Sequence, residues 1–504
     1  MESSYNLFYK LIIILRRNWG FWLGLFLFFL SLMIPVSDKL SYSERNMIAI
    51  ALLMAVWWMS EALPLAITSL LPLALYPLLG IMKTGDVAPN YSNHLVFLFM
   101  GGFIIAIALQ EWQLHKRFAL FTIALIGNNS RKVILAFMIA TALLSMWISN
   151  TATTIMMLPI GLAVIHQIYG SKSGEVIVKN QFGTILMLGI AYSASIGGIG
   201  TLIGTPPNVV FSGIFEKYFP LLPEVSFVGW MIYAIPLVVL LFITMWFYLT
   251  HIVLKKKDLP ELKEKTIFKA KLKELGNMTK PQKWVLSIFV ITALLWITRA
   301  DFRLGFITIN GWPHLFGLQN KIQDSTIAIG MAILLFAIPV KDDNKERKTL
   351  LTWKNLMELP WDILLLFGGG FALAGGIQKT GLAKYIGQHL IFLHNLSLFP
   401  MLFILTLSIA LLTELTSNTA VATTVLPIFA ALAIQLKISP LIIMLPVTVA
   451  ASCAFMLPVA TPPNAIVFGS RYVPIKKMVR IGSVLIVLSA LITSAYFYVV
   501  FKLL

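Results

Sequence analysis

Cysteine is almost missing from this chain: Cys453 is the only one in 504 residues. That excludes an intramolecular disulfide and any cysteine-rich metal cluster. Charge is scarce as well, since only 12% of the residues are Asp, Glu, Lys or Arg, where soluble domains carry about a quarter. Acids are the rarer sign, 21 against 39 Lys and Arg, which leaves a net charge of +18. The basic residues lie in loops between long apolar runs. That is the pattern of positive loops kept on the cytoplasmic side of a membrane, not of a nucleic-acid-binding surface. The histidines are scattered without metal-ligand spacing. No Gly-x-Ser-x-Gly, HExxH or Gly-x-x-x-x-Gly-Lys-Ser/Thr phrase occurs. A membrane-embedded enzyme and an ATP-driven pump are therefore both disfavoured.

What is abundant is apolar sequence, 58% of the chain, with a mean hydropathy of +0.86. Runs of about twenty such residues cross a bilayer as helices. The expected fold is an all-α membrane protein with about eleven transmembrane helices, two re-entrant hairpins and inverted repeats, as in secondary transporters. Residues 1–45 hold an interfacial helix over 5–17 and a first span near 19–36. Arg16-Arg17 read as a cytoplasmic anchor for an uncleaved helix. A first repeat over 46–254 contains spans near 46–62, 65–80, 94–126 and 228–251, a hairpin at 132–168 and a broken helix at 182–217. Residues 255–283, with ten lysines against four acids, form a cytoplasmic linker. A second repeat over 284–504 contains spans near 284–300, 325–340, 361–378 and 478–501. It also holds an amphipathic segment at 379–395, a hairpin at 398–436 and a broken helix at 440–469. An odd number of crossings per repeat inverts the second half, and counting from a cytoplasmic N-terminus places the basic segments 255–283, 341–358 and 471–480 inside, as positive loops should be.

The repeat rests on particular residues. Ser149-Asn150-Thr151-Ala152 recurs as Ser417-Asn418-Thr419-Ala420, an offset of 418 − 150 = 268. The same offset carries Gly101-Gly102-Phe103 onto Gly369-Gly370-Phe371, Ser145 onto Thr413 and Pro159 onto Pro427. A second phrase, Thr205-Pro206-Pro207-Asn208, recurs as Thr461-Pro462-Pro463-Asn464 at an offset of 256. Small polar residues inside apolar runs can simply let helices pack closely. Two different phrases duplicated in one register are poorly explained that way. Irregular backbone at membrane depth persists only where protein or a watery cavity covers it. Each phrase therefore marks a break beside a cavity.

A break between half-helices exposes amides at one helix N-terminus and carbonyls at another's C-terminus. The amides attract anions and the carbonyls attract cations. No lysine or arginine stands beside the phrases: Lys172 and Lys179 fall in a surface turn and Lys437 at a hairpin end. An anion held there needs co-bound cations to offset its buried charge, and sodium ions suit cages of hard oxygens. Cation-coupled anion uptake is favoured on this ground, and a channel less so.

At these residues the chain resembles the divalent anion/sodium symporter family, whose members carry dicarboxylates, citrate or sulfate. The run Ala451-Ser452-Cys453-Ala454-Phe455-Met456-Leu457-Pro458-Val459-Ala460-Thr461-Pro462-Pro463-Asn464-Ala465-Ile466-Val467 is similar to that family's C-terminal signature. The resemblance implies substrate binding by Ser149, Asn150, Thr151, Ser417, Asn418 and Thr419, helped by Thr461 and Pro462. It implies one sodium site at Ser145, Ser149, Asn150 and Gly198, and a second at Thr413, Thr416, Asn418 and Ala460. Thr416 is bulkier than the residue relatives often carry there. Thr419 points to C4-dicarboxylates (succinate, fumarate, malate), with a sodium-independent exchanger or a citrate or sulfate symporter as alternatives. A homodimer with an elevator-like transport domain is also implied, spans 1–3 and 7–8 forming most of the scaffold. Glu414, three residues before Ser417, is either a proton site or a hydrogen-bonding group within the hairpin. Glu61, Glu111 and Asp362 are expected at the interface, at span ends.

Overall fold

The computed structural model describes residues 19–37, 40–126, 129–169, 180–260, 272–304, 307–319, 321–341, 347–389 and 396–503. The interfacial helix over 5–17, the turn bearing Lys172 and Lys179, and parts of the 255–283 linker and the 379–395 segment lie outside them.

Among the described residues, most of the apolar sequence is helical. Helix α1 (Trp19–Leu32) leads into α2 (Tyr42–Ser60), which opens on a capping box made by Ser41 and Glu44. The run expected as one span over 65–80 is cut in two. A single turn, Leu65–Thr68, precedes α3 (Leu71–Leu78), whose second residue is Pro72. The run from His94 also divides, into α4 (His94–Glu111) and α5 (Leu114–Ile126). Gln113 between them is left-handed at φ 54°, and this turns the chain.

The first hairpin is α6 (Ser130–Ser145) and α7 (Asn150–Tyr169), and the first broken helix is α8 (Gln181–Gly198) and α9 (Pro206–Tyr218). Helix α10 (Phe227–Phe247) and a π-turn close that half. The second half runs α11 (Lys280–Ile297), α12 (Asp324–Ala337), α13 (Trp361–Thr380) and α14 (Leu382–His389). Then follow the hairpin α15 (Leu398–Leu412) and α16 (Asn418–Leu436), the broken helix α17 (Pro440–Ala450) and α18 (Pro462–Gly469), and α19 (Ile475–Leu503). Two short antiparallel ribbons interrupt the all-helical expectation. They pair Phe302–Leu304 with Ile307–Ile309, and Pro339–Lys341 with Arg347–Thr349.

Among the described residues, 7 helices are long and apolar enough to cross a membrane. Others expected to cross are shorter pieces, such as α3, α12 and α17. Large apolar side chains stand exposed on α1 (Trp22, Phe26, Phe29), α10 (Ile232, Leu240, Ile243) and α11 (Ile291, Leu294). Exposed apolar surface of this extent suits lipid tails, not water. Helix α8 is the opposite case. Phe182 through Gly198 are all buried, as expected of a helix apolar on every face. Its Gly197 lies against the Ala142 backbone of α6, an approach only a residue without Cβ allows.

The two halves interlock around this centre. Helix α9 packs on α16 and α18 packs on α7, so each broken helix is braced by the other half's hairpin. Helices α8 and α18, and α9 and α17, complete the exchange.

Candidate functional site

Every break in these four elements opens on one cavity of about 760 Å³. All eight residues expected to bind substrate line it: Ser149, Asn150, Thr151, Ser417, Asn418, Thr419, Thr461 and Pro462. Asn150 and Asn418 are the first residues of α7 and α16. The Ser149 hydroxyl accepts the Ala152 amide at 3.3 Å, and the Thr461 hydroxyl accepts the Asn464 amide at 3.3 Å. Prolines fill the first two positions of α9 and α18, where a missing N–H costs nothing. Four helix N-termini thus border the cavity, the polarity that favours an anion.

The stretches 199–205 and 451–461 between the half-helices are held by one device used twice. Asn208 Nδ2 donates to the carbonyls of Gly198 at 3.1 Å and Thr201 at 2.7 Å. Asn464 Nδ2 donates to those of Ala454 at 3.2 Å and Leu457 at 3.1 Å. The acceptors lie 10 and 7 residues before the asparagine in both halves. Trp230 Nε1 adds a bond to the Ile199 carbonyl at 2.8 Å.

Behind the hairpin tips, oxygens crowd together. Ser145 Oγ lies 2.6 Å from Asn150 Oδ1 and 2.8 Å from the Ala194 carbonyl. Thr413 Oγ1 lies 2.6 Å from Asn418 Oδ1 and 3.1 Å from the Ala451 carbonyl. A hydroxyl has one hydrogen, so each trio of oxygens shares a single proton. The Oδ1 atoms of Asn208 and Asn464 are also buried without a hydrogen-bond partner. Such oxygen-rich, donor-poor clusters suit a small hard cation. Gly198 belongs with the first: a Cβ there would stand 2.5 Å from Asn150 Oδ1. In the second, Ala460 and Thr416 line the cavity, and the Thr416 hydroxyl donates to the Leu412 carbonyl at 3.3 Å.

Glu414 is a hydrogen-bonding anchor. Its carboxylate accepts the amides of Phe455 at 2.5 Å, Met456 at 2.8 Å and Leu457 at 2.9 Å. It thereby ties the α15 end of the hairpin to the unwound segment before α18. The first half lacks an acid at the matching Met146. There the Thr201 hydroxyl donates to the Met146 carbonyl at 2.5 Å, bridging the same two elements, again with the donor on the unwound segment and the acceptor on the hairpin.

Sequence reasoning missed two features. The Ala194 and Ala451 carbonyls are backbone groups and leave no side-chain signal. Glu61 and Asp362 do stand at helix ends, as expected, but both also line the cavity. No cluster of three or more His, Cys, Asp or Glu able to hold a metal occurs among the described residues.

Residues 15–503 match the model of a family described as the sodium:sulfate symporter transmembrane region. A protein of Staphylococcus saprophyticus named sodium-dependent dicarboxylate transporter SdcS is 42% identical over 467 residues, covering 92% of this chain and 87% of that protein. Its namesake in Staphylococcus aureus is 43% identical over 485 residues, covering 95% and 90%. Among solved structures, Neisseria gonorrhoeae MtrF, described within a class of antimetabolite efflux pumps, superposes with a TM-score of 0.51. That likeness spans 82% of both chains at 12% identity, and it bears on the fold alone.

Proposed function

Since the chain belongs to the sodium:sulfate symporter family, we propose that it carries C4-dicarboxylates such as succinate, fumarate and malate across a membrane together with Na⁺. One observation carries this reading. Among the described residues, the cavity that presents the duplicated Ser-Asn-Thr tips has no lysine or arginine in its lining, yet an oxygen cluster stands behind each tip. The dianion's charge is balanced by ions that travel with it. The names of relatives sharing over two fifths of this sequence support the same pairing of ion and substrate.

On this reading the carboxylates of the diacid meet Ser149, Asn150 and Thr151 on one side and Ser417, Asn418 and Thr419 on the other, with Thr461 and Pro462 closing the pocket. Sodium binds at Ser145, Ser149, Asn150 and Gly198, and at Thr413, Thr416, Asn418 and Ala460. Each asparagine serves both ligands, so filling a sodium cage fixes the amide that the substrate meets. That is a direct physical route to coupling. The interlocked hairpins and broken helices move as one body against a scaffold of α1–α3 and α11–α12, an elevator-like alternating access. The protein works as a homodimer in the cell membrane, its N-terminus and basic linker in the cytoplasm.

Ligand-linked stability tests the pairing. Succinate binding to the folded state raises the unfolding temperature by mass action. The rise is expected in NaCl and absent in KCl. Equal stabilisation in both salts would contradict the reading.

A further inference from the structure

The two repeat offsets bring a further pair of contacts into register. The offset 367 − 99 = 268 carries Phe99 and Phe103 of α4 onto Phe367 and Phe371 of α13. The offset 469 − 213 = 256 carries Gly213 of α9 onto Gly469 of α18. Gly213 and Phe371 therefore have Gly469 and Phe103 as their counterparts in the other half.

The structure treats the two pairs differently. A Cβ at Gly213 would collide with the ring of Phe371, so the aromatic ring fills the space that the missing side chain leaves. Lys217, one turn further along α9, secures this contact by donating from Nζ to the Phe371 carbonyl at 2.9 Å. The Tyr218 hydroxyl donates beside it to the Ala374 carbonyl at 3.3 Å. A Cβ at Gly469, by contrast, would meet no described atom within 4 Å beyond its own helix. Phe103 instead lines the cavity and stands edge-on to Phe99 at 90°, whereas Phe367 and Phe371 are stacked at 21°. One socket is filled, and its copy is empty.

Both aromatic helices are seated on the scaffold by another duplicated residue. Gly101 of α4 lies against the Ala328 backbone of α12, and Gly369 of α13 against the Ser69 backbone just before α3. The sockets belong to the broken helices of the interlocked body. Each pair thus spans the boundary across which that body moves.

We propose that the empty socket at Gly469 receives Phe103 when the body moves to the opposite face, closing the present mouth of the cavity while Gly213 and Phe371 part. This rests on the alternating-access reading above and names the contact that closes each end state. Inverted repeats gate against each other around a shared site, and exchanging these two contacts turns one end state into the other. In the orientation proposed above, Gly469 lies towards the cytoplasm, just before the basic segment 471–480, and Gly213 towards the other face. Lys217 has Val473 as its counterpart (473 − 217 = 256), so its bond braces only the filled socket.

The test is Gly469→Leu in the full-length protein. The new side chain enters open space in the state described, and leucine is a better helix former than glycine. The unfolding temperature should equal or exceed that of wild type, and its rise with succinate in NaCl should persist. Uptake of labelled succinate into proteoliposomes should nonetheless fall by about tenfold or more, because a filled socket cannot admit an aromatic ring. Gly469→Leu/Phe103→Ala makes room and should recover part of the rate. A second measurement needs no substrate. Ala374 is buried behind the filled socket, and Ala374→Cys should react with a charged thiol reagent in detergent solution each time that socket opens. The parent chain, whose Cys453 is buried, sets the background. Adding Gly469→Leu should slow this labelling by about the same factor as uptake.

Wild-type uptake by Gly469→Leu overturns the proposal, as does thiol labelling that Gly469→Leu leaves unchanged. Loss of uptake together with the stabilisation by succinate also overturns it, since damage to the site then explains the loss. Wild-type protein that carries no succinate with sodium removes the proposed function, and the thiol labelling then still decides whether the socket gates.

Discussion

Ser145 Oγ and Asn150 Oδ1 lie 2.6 Å apart across the tip of the first hairpin. Thr413 Oγ1 and Asn418 Oδ1 repeat that relation at 2.6 Å in the second. The hydroxyl and its geometry are kept between the halves although serine is replaced by threonine.

Removing either asparagine amide is therefore expected to abolish transport. Asn150→Ala and Asn418→Ala each delete a group assigned to both a sodium cage and a substrate carboxylate. Uptake by either purified variant should fall to the level of empty vesicles, with the fold retained by circular dichroism. Normal sodium-dependent uptake by either one would remove that asparagine from the site.

The hydroxyls behind them should act on sodium more than on substrate. Ser145→Ala and Thr413→Ala each remove one oxygen from a cage, a loss of about 1 kcal/mol or about fivefold in sodium affinity. Thr413→Ser restores the oxygen and should restore the affinity. Sodium titrations of initial uptake rate check this, and an unchanged half-saturation in both alanine variants would contradict the assignment.

Gly198 separates geometry from chemistry. A methyl group there would stand 2.5 Å from Asn150 Oδ1 and 3.1 Å from the Gly204 carbonyl. Gly198→Ala should displace the Asn150 amide, so sodium stimulation is lost while the protein still folds and elutes as wild type does. Wild-type coupling in Gly198→Ala would place the first cage elsewhere.

Glu414 predicts a difference between the halves. Glu414→Gln removes the charge and one accepting oxygen, so the amides of Phe455 and Met456, held by one carboxylate oxygen, and that of Leu457, held by the other, can no longer all be accepted. The expected loss is roughly 2–3 kcal/mol of local stability. Hydrogen exchange should report it as loosened amides over 453–458, with no change over 197–202. Exchange that rises equally in both segments would deny Glu414 this anchoring role.

The duplicated phrases were readable because identity at a fixed offset survives any uncertainty about helix ends. The breaks they marked, between Ser145 and Asn150 and between Gly198 and Pro206, fall where Pro-Pro and Ser-Asn interrupt apolar sequence. The division of the 65–80 run into Leu65–Thr68 and Leu71–Leu78 was not readable. Pro72 is compatible with either one kinked span or two pieces. The ribbons at Phe302–Leu304 and Pro339–Lys341 are three residues each, too short for an alternation to stand out from their surroundings. Glu61 and Asp362 look like ordinary span-end charges along the chain. Only the packing of α2 and α13 beside the hairpin tips brings them to the cavity.

Uptake of labelled succinate into proteoliposomes with empty lumens, driven by an inward gradient of either Na⁺ or K⁺, tests the central claim most directly. The account predicts concentrative uptake with sodium and none with potassium. Uptake that ignores sodium and requires a dicarboxylate inside would make the protein an exchanger, and would contradict the claim that ions held behind the Ser-Asn-Thr tips balance the substrate's charge.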